Sequence, residues 1–268
     1  MLIDFHTHVF PEKIAARSLE VLKEGILKCE GVCAETFTDG TIDGIKNSMT
    51  KTGVDLSVTM PIATKPSQTE SINAFAKTVF SEKTVSFATL HPQNENADNI
   101  LETVAKDGFK GIKLHPEFQQ TYVDSTEMIN IFKKAEQLGL YTVIHSGADI
   151  GLEPPVHCTP DRLKNVLEYV SGKYIIAAHL GAFRMWDDVE KYLVGTEVSF
   201  DTAFINGYIN PQQYKRIIKN HGADKILFGS DLPWENPVDT LNGLKSLSLD
   251  DEEFEKITHK NAEKILGI

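Results

Sequence analysis

The chain has 268 residues, a net charge of −11 and a hydrophobic content of 41 %. These values describe a folded globular protein, and the length suits a single α/β barrel. The acidic balance argues against a nucleic-acid partner, because such proteins use clustered Lys and Arg to neutralise phosphates. No stretch approaches the roughly 20 apolar residues that span a bilayer, and no signal-peptide pattern precedes the first apolar run. We therefore expect neither a nucleic-acid nor a membrane partner.

The chain contains three cysteines, Cys29, Cys33 and Cys158. An odd number in a chain large enough to fold without disulfides indicates a reduced, cytoplasmic protein. Cys29 and Cys33 have no second Cys or His pair beside them, so we interpret them as free thiols and not as a zinc site.

Eight short apolar runs recur about every 25 to 35 residues, each rich in Val, Ile or aromatic residues and bounded by Gly, Pro or polar residues. This pattern is typical of buried strands. The runs are LIDFHTH (2–8), DLSVTMP (55–61), VSFATLH (85–91), FKGIKLH (109–115), LYTVIHS (140–146), YIIAAHL (174–180), EVSFD (197–201) and KILFGSD (225–231).

The segments between these runs carry helical patterns. Asp124 and Glu127 resemble a capping box at the start of one helix, Pro160 suits the first turn of another, and the last helix begins at about Asp251. The long connection 9–40 is expected to form a helical excursion over the barrel mouth.

Strands that alternate with helices predict parallel pairing and right-handed crossovers. We therefore predict an α/β fold, a (β/α)8 TIM barrel forming one domain over residues 1–268, with an extended loop and helical insertion after strand 1. An open doubly wound sheet is the rival fold, but the chain has no Gly-rich G-x-G-x-x-G turn to support it.

The first run raises a specific question, because it ends in two histidines two residues apart. Strand alternation places Asp4, His6 and His8 on one face, with the imidazoles roughly 6.5 Å apart along the strand. Such a pair can bind one metal ion, but it needs further ligands from elsewhere in the chain.

Those ligands are expected at the carboxyl ends of the strands, where barrels of this type carry their active sites. Six of the nine histidines lie at such ends, and convergence of imidazoles with a carboxylate from different strands is typical of a metal site. The residues concerned are His6, His8, His91, His115, His145, His179 and Asp231.

The ordered motifs IDFHTH, GIKLHP, VIHSG, AAHLG and FGSDLPW, with the ending NAEKILG, resemble the amidohydrolase superfamily, in its aminocarboxymuconate-semialdehyde decarboxylase-like branch. The resemblance covers nearly the whole chain. It implies a distorted barrel, one divalent metal, most often zinc with manganese as the alternative, and a homodimer. It also implies that His6, His8, His145 and Asp231 bind the metal, while His179 acts on substrate or water.

The implied chemistry is activation of water, whose pKa falls to about 7 on such a metal. Asp231 would ligate the metal and carry the proton from water to the leaving group. His179 would contact the attacked oxygen or the nucleophile. Both are therefore predicted catalytic residues.

Strand 4 leaves two interpretations open. Lys113 and His115 share a face that points into the barrel. In two-metal members of the superfamily a strand 4 lysine is carboxylated and bridges the ions, which would place a second metal on Lys113, His145 and His179. Alternatively, Lys113 is a buried cation paired with an acid such as Asp4, and His115 lines the substrate pocket.

Further candidate pocket residues follow other strand ends. His91 is either a pocket wall or a structural histidine, and His157, in the Pro-rich loop GLEPPVHCTP, is either a substrate contact or a solvated loop residue. Aromatic and basic candidates for the pocket are Phe10, Phe118, Trp186, Trp234, Arg17 and Arg184.

The function expected from these observations is a metal-dependent hydrolase that cleaves a C–N or C–O bond (amide, lactone or ester) of a small molecule. The alternative is a metal-dependent non-oxidative decarboxylase. A TatD-like nuclease would carry an acidic ligand where this chain has GIKLH. A non-catalytic metal-binding barrel would show a broken ligand set, whereas this set is whole.

Overall fold

Nine short parallel strands alternate with helices along residues 1–268, all of which the computed structural model describes. Each of the eight predicted runs contains strand residues, and the third spans two strands that Phe87 separates. The strands are β1 (Ile3–Thr7), β2 (Leu56–Thr59), β3 (Thr84–Ser86), β4 (Ala88–Thr89), β5 (Gly111–Leu114), β6 (Tyr141–Ile144), β7 (Ile175–Ala177), β8 (Ser199–Asp201) and β9 (Ile226–Leu227).

The strands pair in chain order, β1 to β3 in one sheet and β4 to β9 in another, and every pair is parallel. Chain continuity through Phe87 links the two sheets at one side. At the other side the Phe5 amide donates to the Phe228 carbonyl at 2.8 Å, and the Asp231 amide donates to the His6 carbonyl at 2.8 Å. These bonds bring the last strand against the first, so the expected (β/α)8 barrel is confirmed in a distorted form.

Twelve α-helices surround and cover the strands, with single 3-10 turns at Pro66–Gln68 and Ala223–Lys225. None of them combines the length and apolar composition needed to cross a membrane. A π-helical turn, Lys256–Lys260, joins the last two. The helices are α1 (Glu12–Glu30), α2 (Ile42–Thr52), α3 (Thr69–Val79), α4 (Ala97–Lys106), α5 (Pro116–Gln119), α6 (Thr126–Gln137), α7 (Pro160–Val166), α8 (Trp186–Tyr192), α9 (Pro211–His221), α10 (Pro237–Ser246), α11 (Asp251–Glu255) and α12 (Asn261–Leu266).

The predicted excursion after β1 is confirmed as helix α1. It ends at Gly31, whose φ of 71° suits a left-handed helix end. Its inner face approaches the loop after β6 so closely that a Cβ on Gly25 would lie 2.9 Å from the Gly151 carbonyl oxygen. Gly25 therefore lets α1 lie directly against that loop.

The predicted capping box at α6 is wrong by one residue. Ser125 is the N-cap, and its hydroxyl accepts from the Met128 amide at 3.3 Å. Asp124 instead accepts from Arg162 at 2.8 Å, a contact across the fold that the local sequence does not contain.

Two apolar clusters stabilise the barrel. The larger packs the outer faces of the strands against the helices. The smaller contains residues from five strands around the ring, among them Phe5, Val58, Val143 and Ile176, and α12 closes it from below with Leu266. Side chains that point into the ring are therefore apolar at its base and polar at the carboxyl ends.

His221, at the end of α9, is a structural histidine. Its Nε2 donates to the Val198 carbonyl at 2.7 Å, its Nδ1 accepts from the Gly195 amide at 3.1 Å, and its ring stacks on Phe200 at 4.0 Å. Burial is the largest cause that lowers the pKa of His221, to about 4. The folded state therefore holds this ring neutral well below pH 6.5.

Because the folded pKa of His221 lies below the unfolded value, its contribution to stability is complete above pH 6.5 and is lost as the pH falls towards 4. The wild type is expected to lose unfolding free energy as the pH falls through this range. In His221→Gln this loss should be smaller by up to about 3 kcal/mol, because the glutamine does not titrate. Urea titrations of both proteins between pH 4 and 7.5 measure this. Parallel curves would contradict it.

Candidate metal centre

A chamber of about 960 Å³ opens at the carboxyl ends of the strands, and half of its 34 lining residues are hydrophobic. Its volume lies within the range of small-molecule sites. The titratable residues that line its polar part are His6, His8, Lys113, His115, His145, Asp149, His179 and Asp231.

The first donor group consists of His6, His8 and Asp231. His6 Nε2 lies 3.2 Å from His8 Nε2, and Asp231 Oδ1 lies 3.4 Å and 3.0 Å from these two nitrogens. Ligand atoms 2.0–2.1 Å from a tetrahedral zinc ion lie about 3.3 Å from one another. The spacing of these three atoms therefore fits one metal ion.

The hydrogen bonds of the two rings assign their protons. His6 Nδ1 lies 2.7 Å from Asp201 Oδ2, and His8 Nδ1 lies 2.8 Å from the Met60 carbonyl oxygen. Both oxygens are acceptors, so each Nδ1 carries the proton and each Nε2 presents a lone pair. Burial holds the pKa of His6 well below its usual value, which keeps that ring neutral.

Asp231 completes the group without supplying a proton. Its Oδ1 is buried and has no hydrogen-bond partner of acceptable geometry, although His8 Nε2 lies within contact distance. Three acceptor atoms therefore converge on one point. A cation at that point satisfies all three, and the residues fit the divalent ion that the sequence predicts.

The fourth predicted ligand, His145, is not within this group. It joins His115 and Asp149 in a second set whose ligand atoms all lie within 4.8 Å of one another. Its ring stacks on that of His115 at 4.1 Å. The structure therefore brings three of the four predicted ligands together and directs the fourth to a neighbouring group.

Lys113 lies beside the first group with its Nζ 3.2 Å from His6 Nε2. Burial is the main cause that lowers the pKa of this amine, to about 8. The expected ion pair with Asp4 is absent, because Asp4 accepts from the Ser230 hydroxyl at 2.5 Å and from the Ser230 amide at 2.9 Å. Burial raises the pKa of Asp4 to about 7. Lys113 therefore has no partner in Asp4, and its amine lines the chamber floor beside His6.

The backbone at the site is strained. His179, Leu180 and Asp231 have φ values of 61°, 55° and 70°, in the left-handed region that non-glycine residues rarely adopt. Strain of this kind persists where surrounding contacts impose it, and it clusters at functional sites. Here the Asp231 amide is fixed by the His6 carbonyl at 2.8 Å.

The weaker pocket candidates separate into two sets. Phe10, Phe118 and Trp234 line the chamber. Residues outside it are His91, whose Nδ1 accepts from the Gln93 amide, His157, which is buried beside Tyr122, and Trp186, which donates to the His179 carbonyl. His157 is thus not a solvated loop residue, and His91 has the contacts of a structural histidine.

The two candidate arginines are both paired with glutamates. Arg17 reaches the chamber rim but binds Glu20 at 2.6 Å in an exposed pair, and Arg184 makes two bonds to Glu30 at 2.6 and 3.1 Å. Arg184 does not line the chamber. Its pair with Glu30 instead ties α1 to the loop after β7.

Sequence reasoning missed three acidic residues of the site. Asp201 supports His6, Asp149 lies beside the edges of the stacked His115 and His145 rings, and Glu117 accepts from the His157 amide at 2.7 Å. A signal existed for two of them: Asp201 ends the predicted strand EVSFD, and Asp149 follows His145 by four residues. The importance of Glu117 depends on a contact 40 residues away.

Comparison with known protein families assigns the chain to one of them by sequence. The model of one family, described as amidohydrolase, matches residues 3–268. The chain belongs to the amidohydrolase family. No curated protein sequence matches it significantly.

Solved amidohydrolase-like structures share the fold at low sequence identity. A 2,6-dihydroxybenzoate decarboxylase complexed with 2,6-dihydroxybenzoate is 15 % identical with a TM-score of 0.67, covering 100 % of this chain and 99 % of its own. A Novosphingobium aromaticivorans 5-carboxyvanillate decarboxylase complexed with manganese is 15 % identical with a TM-score of 0.72, and the match covers 100 % of this chain and 96 % of that one. A probable 2-pyrone-4,6-dicarboxylic acid hydrolase from Acinetobacter baumannii is 15 % identical with a TM-score of 0.67, and the match covers 100 % of this chain and 99 % of that one. This fold therefore occurs in two decarboxylases and in a probable hydrolase.

Asp201 offers a test of the first donor group, because it fixes the tautomer of His6. Its Oδ1 also accepts from the His179 amide at 2.9 Å. We expect Asp201→Asn to weaken zinc binding about 10- to 100-fold, the usual effect of losing a carboxylate behind a ligating histidine. Competition with a zinc-binding dye measures this. The exposed Asp187→Asn is the matched control, and equal affinities in the two variants would contradict the role of Asp201.

Proposed function

We propose that the chain is a metal-dependent hydrolase that cleaves a C–N or C–O bond, of amide, lactone or ester type, in a small and largely apolar molecule. The observation that supports this most directly is the convergence of His6 Nε2, His8 Nε2 and Asp231 Oδ1 within 3.4 Å of one another, with no proton among them. We assign these three residues to the metal.

Two nitrogens and one carboxylate oxygen suit zinc, and manganese is the alternative that a structural relative binds. Such an ion, when bound, would polarise a substrate carbonyl and make water a stronger acid. Three protein ligands leave a coordination position open, as catalytic sites require.

Proton transfer is assigned to Asp231. Its carboxylate belongs to the first donor group and lines the chamber, so it can take a proton from the attacking water and deliver it to the leaving nitrogen or oxygen. His179 is assigned to the attacked oxygen or the nucleophile, because it lines the same chamber and its ring is fixed by the Ala203 carbonyl at 2.8 Å.

The apolar walls support a substrate with a sizeable hydrophobic part. Helix α1 contributes Ile14, Val21 and Leu22, and Phe75 of α3 and Trp234 after β9 add aromatic surface. Burying such a group gives about 25 cal/mol for each Å² removed from water, which positions the scissile bond without charged contacts. The substrate partner is therefore proposed to be a small apolar molecule.

Decarboxylation is the alternative reaction. It requires a cation that holds the substrate carboxylate, and both arginines expected to provide one are engaged, Arg17 with Glu20 and Arg184 with Glu30. The pairing of Arg17 and the position of Arg184 outside the chamber favour hydrolysis. Lys113 is the remaining basic side chain on the chamber wall, apart from the histidines, and would hold the substrate carboxylate in the alternative reaction.

Location and assembly remain proposals. A reducing, cytoplasmic setting is supported by the state of Cys29, Cys33 and Cys158, which are all free thiols. A homodimer is supported only by the family resemblance. Size-exclusion chromatography with light scattering measures the assembly directly.

Asp231→Asn is expected to lower turnover of an apolar aryl ester or lactone by about 10²- to 10⁴-fold, because the amide cannot accept the proton and is a weaker metal ligand than the carboxylate. The fold is expected to remain intact by circular dichroism. The exposed Asp43→Asn is the matched control and should keep the wild-type rate. A near-wild-type rate in Asp231→Asn would refute the assignment.

Labelled solvent separates the two reactions. Hydrolysis in H₂¹⁸O is expected to place one ¹⁸O in the carboxylate product, as mass spectrometry detects, and to release no carbon dioxide. Release of carbon dioxide from aromatic acids, with no ¹⁸O in the product, would replace the hydrolase by a decarboxylase.

A further inference from the structure

Helix α1 covers the chamber but does not belong to the core of the barrel. Only three of its 19 residues are buried, Ala15, Leu19 and Ile26, whereas α6 buries four of 12. No side chain of α1 belongs to either of the apolar clusters that stabilise the barrel. An element with so few buried contacts opens locally at a lower free energy than the core does.

The apolar face of α1 is turned towards the chamber. Ile14, Val21 and Leu22 have the i, i+7, i+8 spacing of one helix face, and all three line the chamber. Ile14 and Val21 are nevertheless 50 % and 49 % exposed, so the protein itself leaves about half of each side chain uncovered. An apolar molecule in the chamber would cover them and would supply packing that α1 lacks.

The segment that carries α1 is joined to the barrel at its base. The Phe10 amide donates to the Gly40 carbonyl at 2.8 Å, so the chain leaves and re-enters the barrel side by side. Beyond this base, the Phe37 amide donates to the Pro233 carbonyl at 2.8 Å. A segment whose two ends lie together can move as a unit about a few residues there.

One ion pair fixes the far end of α1. Its last residue, Glu30, accepts two hydrogen bonds from Arg184 at 2.6 and 3.1 Å, and α1 makes no other ion pair with the rest of the protein. The Arg184 guanidinium lies over the rings of Phe183 and Tyr208, at 5.2 and 5.3 Å. The Phe183 amide in turn donates to the Ser146 carbonyl at 2.8 Å. Arg184 is therefore held in place by contacts that do not involve α1.

We propose that α1 is a lid that opens to admit substrate, that an apolar substrate closes it by packing against its inner face, and that the Arg184–Glu30 pair is the latch that holds it closed. Arg184 and Glu30 are positioning residues, since neither lines the chamber. The proposal rests on the apolar substrate of the proposed function but not on the reaction that follows. Closure of such a lid commits the substrate to the site.

Release of N-phenyl-1-naphthylamine, an uncharged apolar dye, tests the latch by stopped-flow fluorescence. Arg184→Gln and Glu30→Gln are each expected to speed release about two- to fivefold, the size expected for a partly exposed ion pair. The reversed pair, Glu30→Arg with Arg184→Glu, is expected to restore slow release. High salt should speed release from the wild type but not from either single variant, because it screens the pair.

Arg216→Gln is the matched control for the latch and should release the dye at the wild-type rate. It breaks a similarly exposed pair, in which Arg216 of α9 makes two hydrogen bonds to Glu190 of α8, at 2.6 and 2.8 Å.

Hydrogen exchange, followed by mass spectrometry of peptides, tests the contact between the dye and the lid. Exchange in α1 is expected to be faster than in α6 and to slow when the dye binds, because the dye covers the inner face. Val21→Asn is expected to weaken dye binding. Leu27→Asn is its control and should bind as the wild type does, because Leu27 is 47 % exposed on the same helix but does not line the chamber.

The outcomes separate the lid from the proposed function. Equal release rates in Arg184→Gln and Arg216→Gln, or bound dye without slower exchange in α1, would overturn the lid and leave the hydrolase intact. The expected rates and protection in a protein that hydrolyses no ester, amide or lactone would support the lid and overturn the hydrolase. No binding of the dye by the folded wild type would overturn both the lid and the apolar substrate.

Discussion

The convergence of three buried acceptor atoms, one of which lies 3.2 Å from Lys113 Nζ, is the constraint on which the candidate site depends. His6 Nε2, His8 Nε2 and Asp231 Oδ1 lie 3.0 to 3.4 Å apart because other contacts hold them there. The Asp201 carboxylate and the Met60 carbonyl fix the two rings through their Nδ1 protons. Lone pairs this close are tolerated in a folded protein when a cation neutralises them.

The same residues close the barrel. The Asp231 amide donates to the His6 carbonyl, and the Phe5 amide donates to the Phe228 carbonyl, so the seam between the last and first strands passes through the ligand group. An ion bound by His6 and Asp231 would link the two edges of that seam. Since a ligand that binds only the folded state stabilises it, binding of such an ion would favour closure of the ring.

Charge and apolar surface are separated along the barrel axis. The polar floor contains every candidate ligand atom, whereas α1 covers it with apolar side chains and is anchored by the pair between Arg184 and Glu30. The close approach of Gly25 to Gly151 sets how near α1 lies to the loop after β6. The polar groups are therefore largely buried, which strengthens their electrostatic interactions.

Sequence patterns were sufficient for features that depend on neighbouring residues. The apolar runs located all the strands, and the histidines and Asp231 at their ends located the chamber, because parallel strands must bring their carboxyl ends together. The cap of α6 was misplaced by one residue, since Asp124 and Ser125 are both suitable caps and the contact with Arg162 decides between them.

The sequence by itself determined the barrel, the amidohydrolase family motifs and the histidines that face one another across the chamber, since strand period and strand order suffice for these. Only the tertiary structure decided how the donors divide into groups. The ring of His145 lies between Asp149 and His179, with its Nδ1 3.0 Å from His179 Nε2, and His179 Nδ1 in turn lies 2.8 Å from the Ala203 carbonyl oxygen. These contacts join residues 24 to 34 positions apart, which no local pattern encodes.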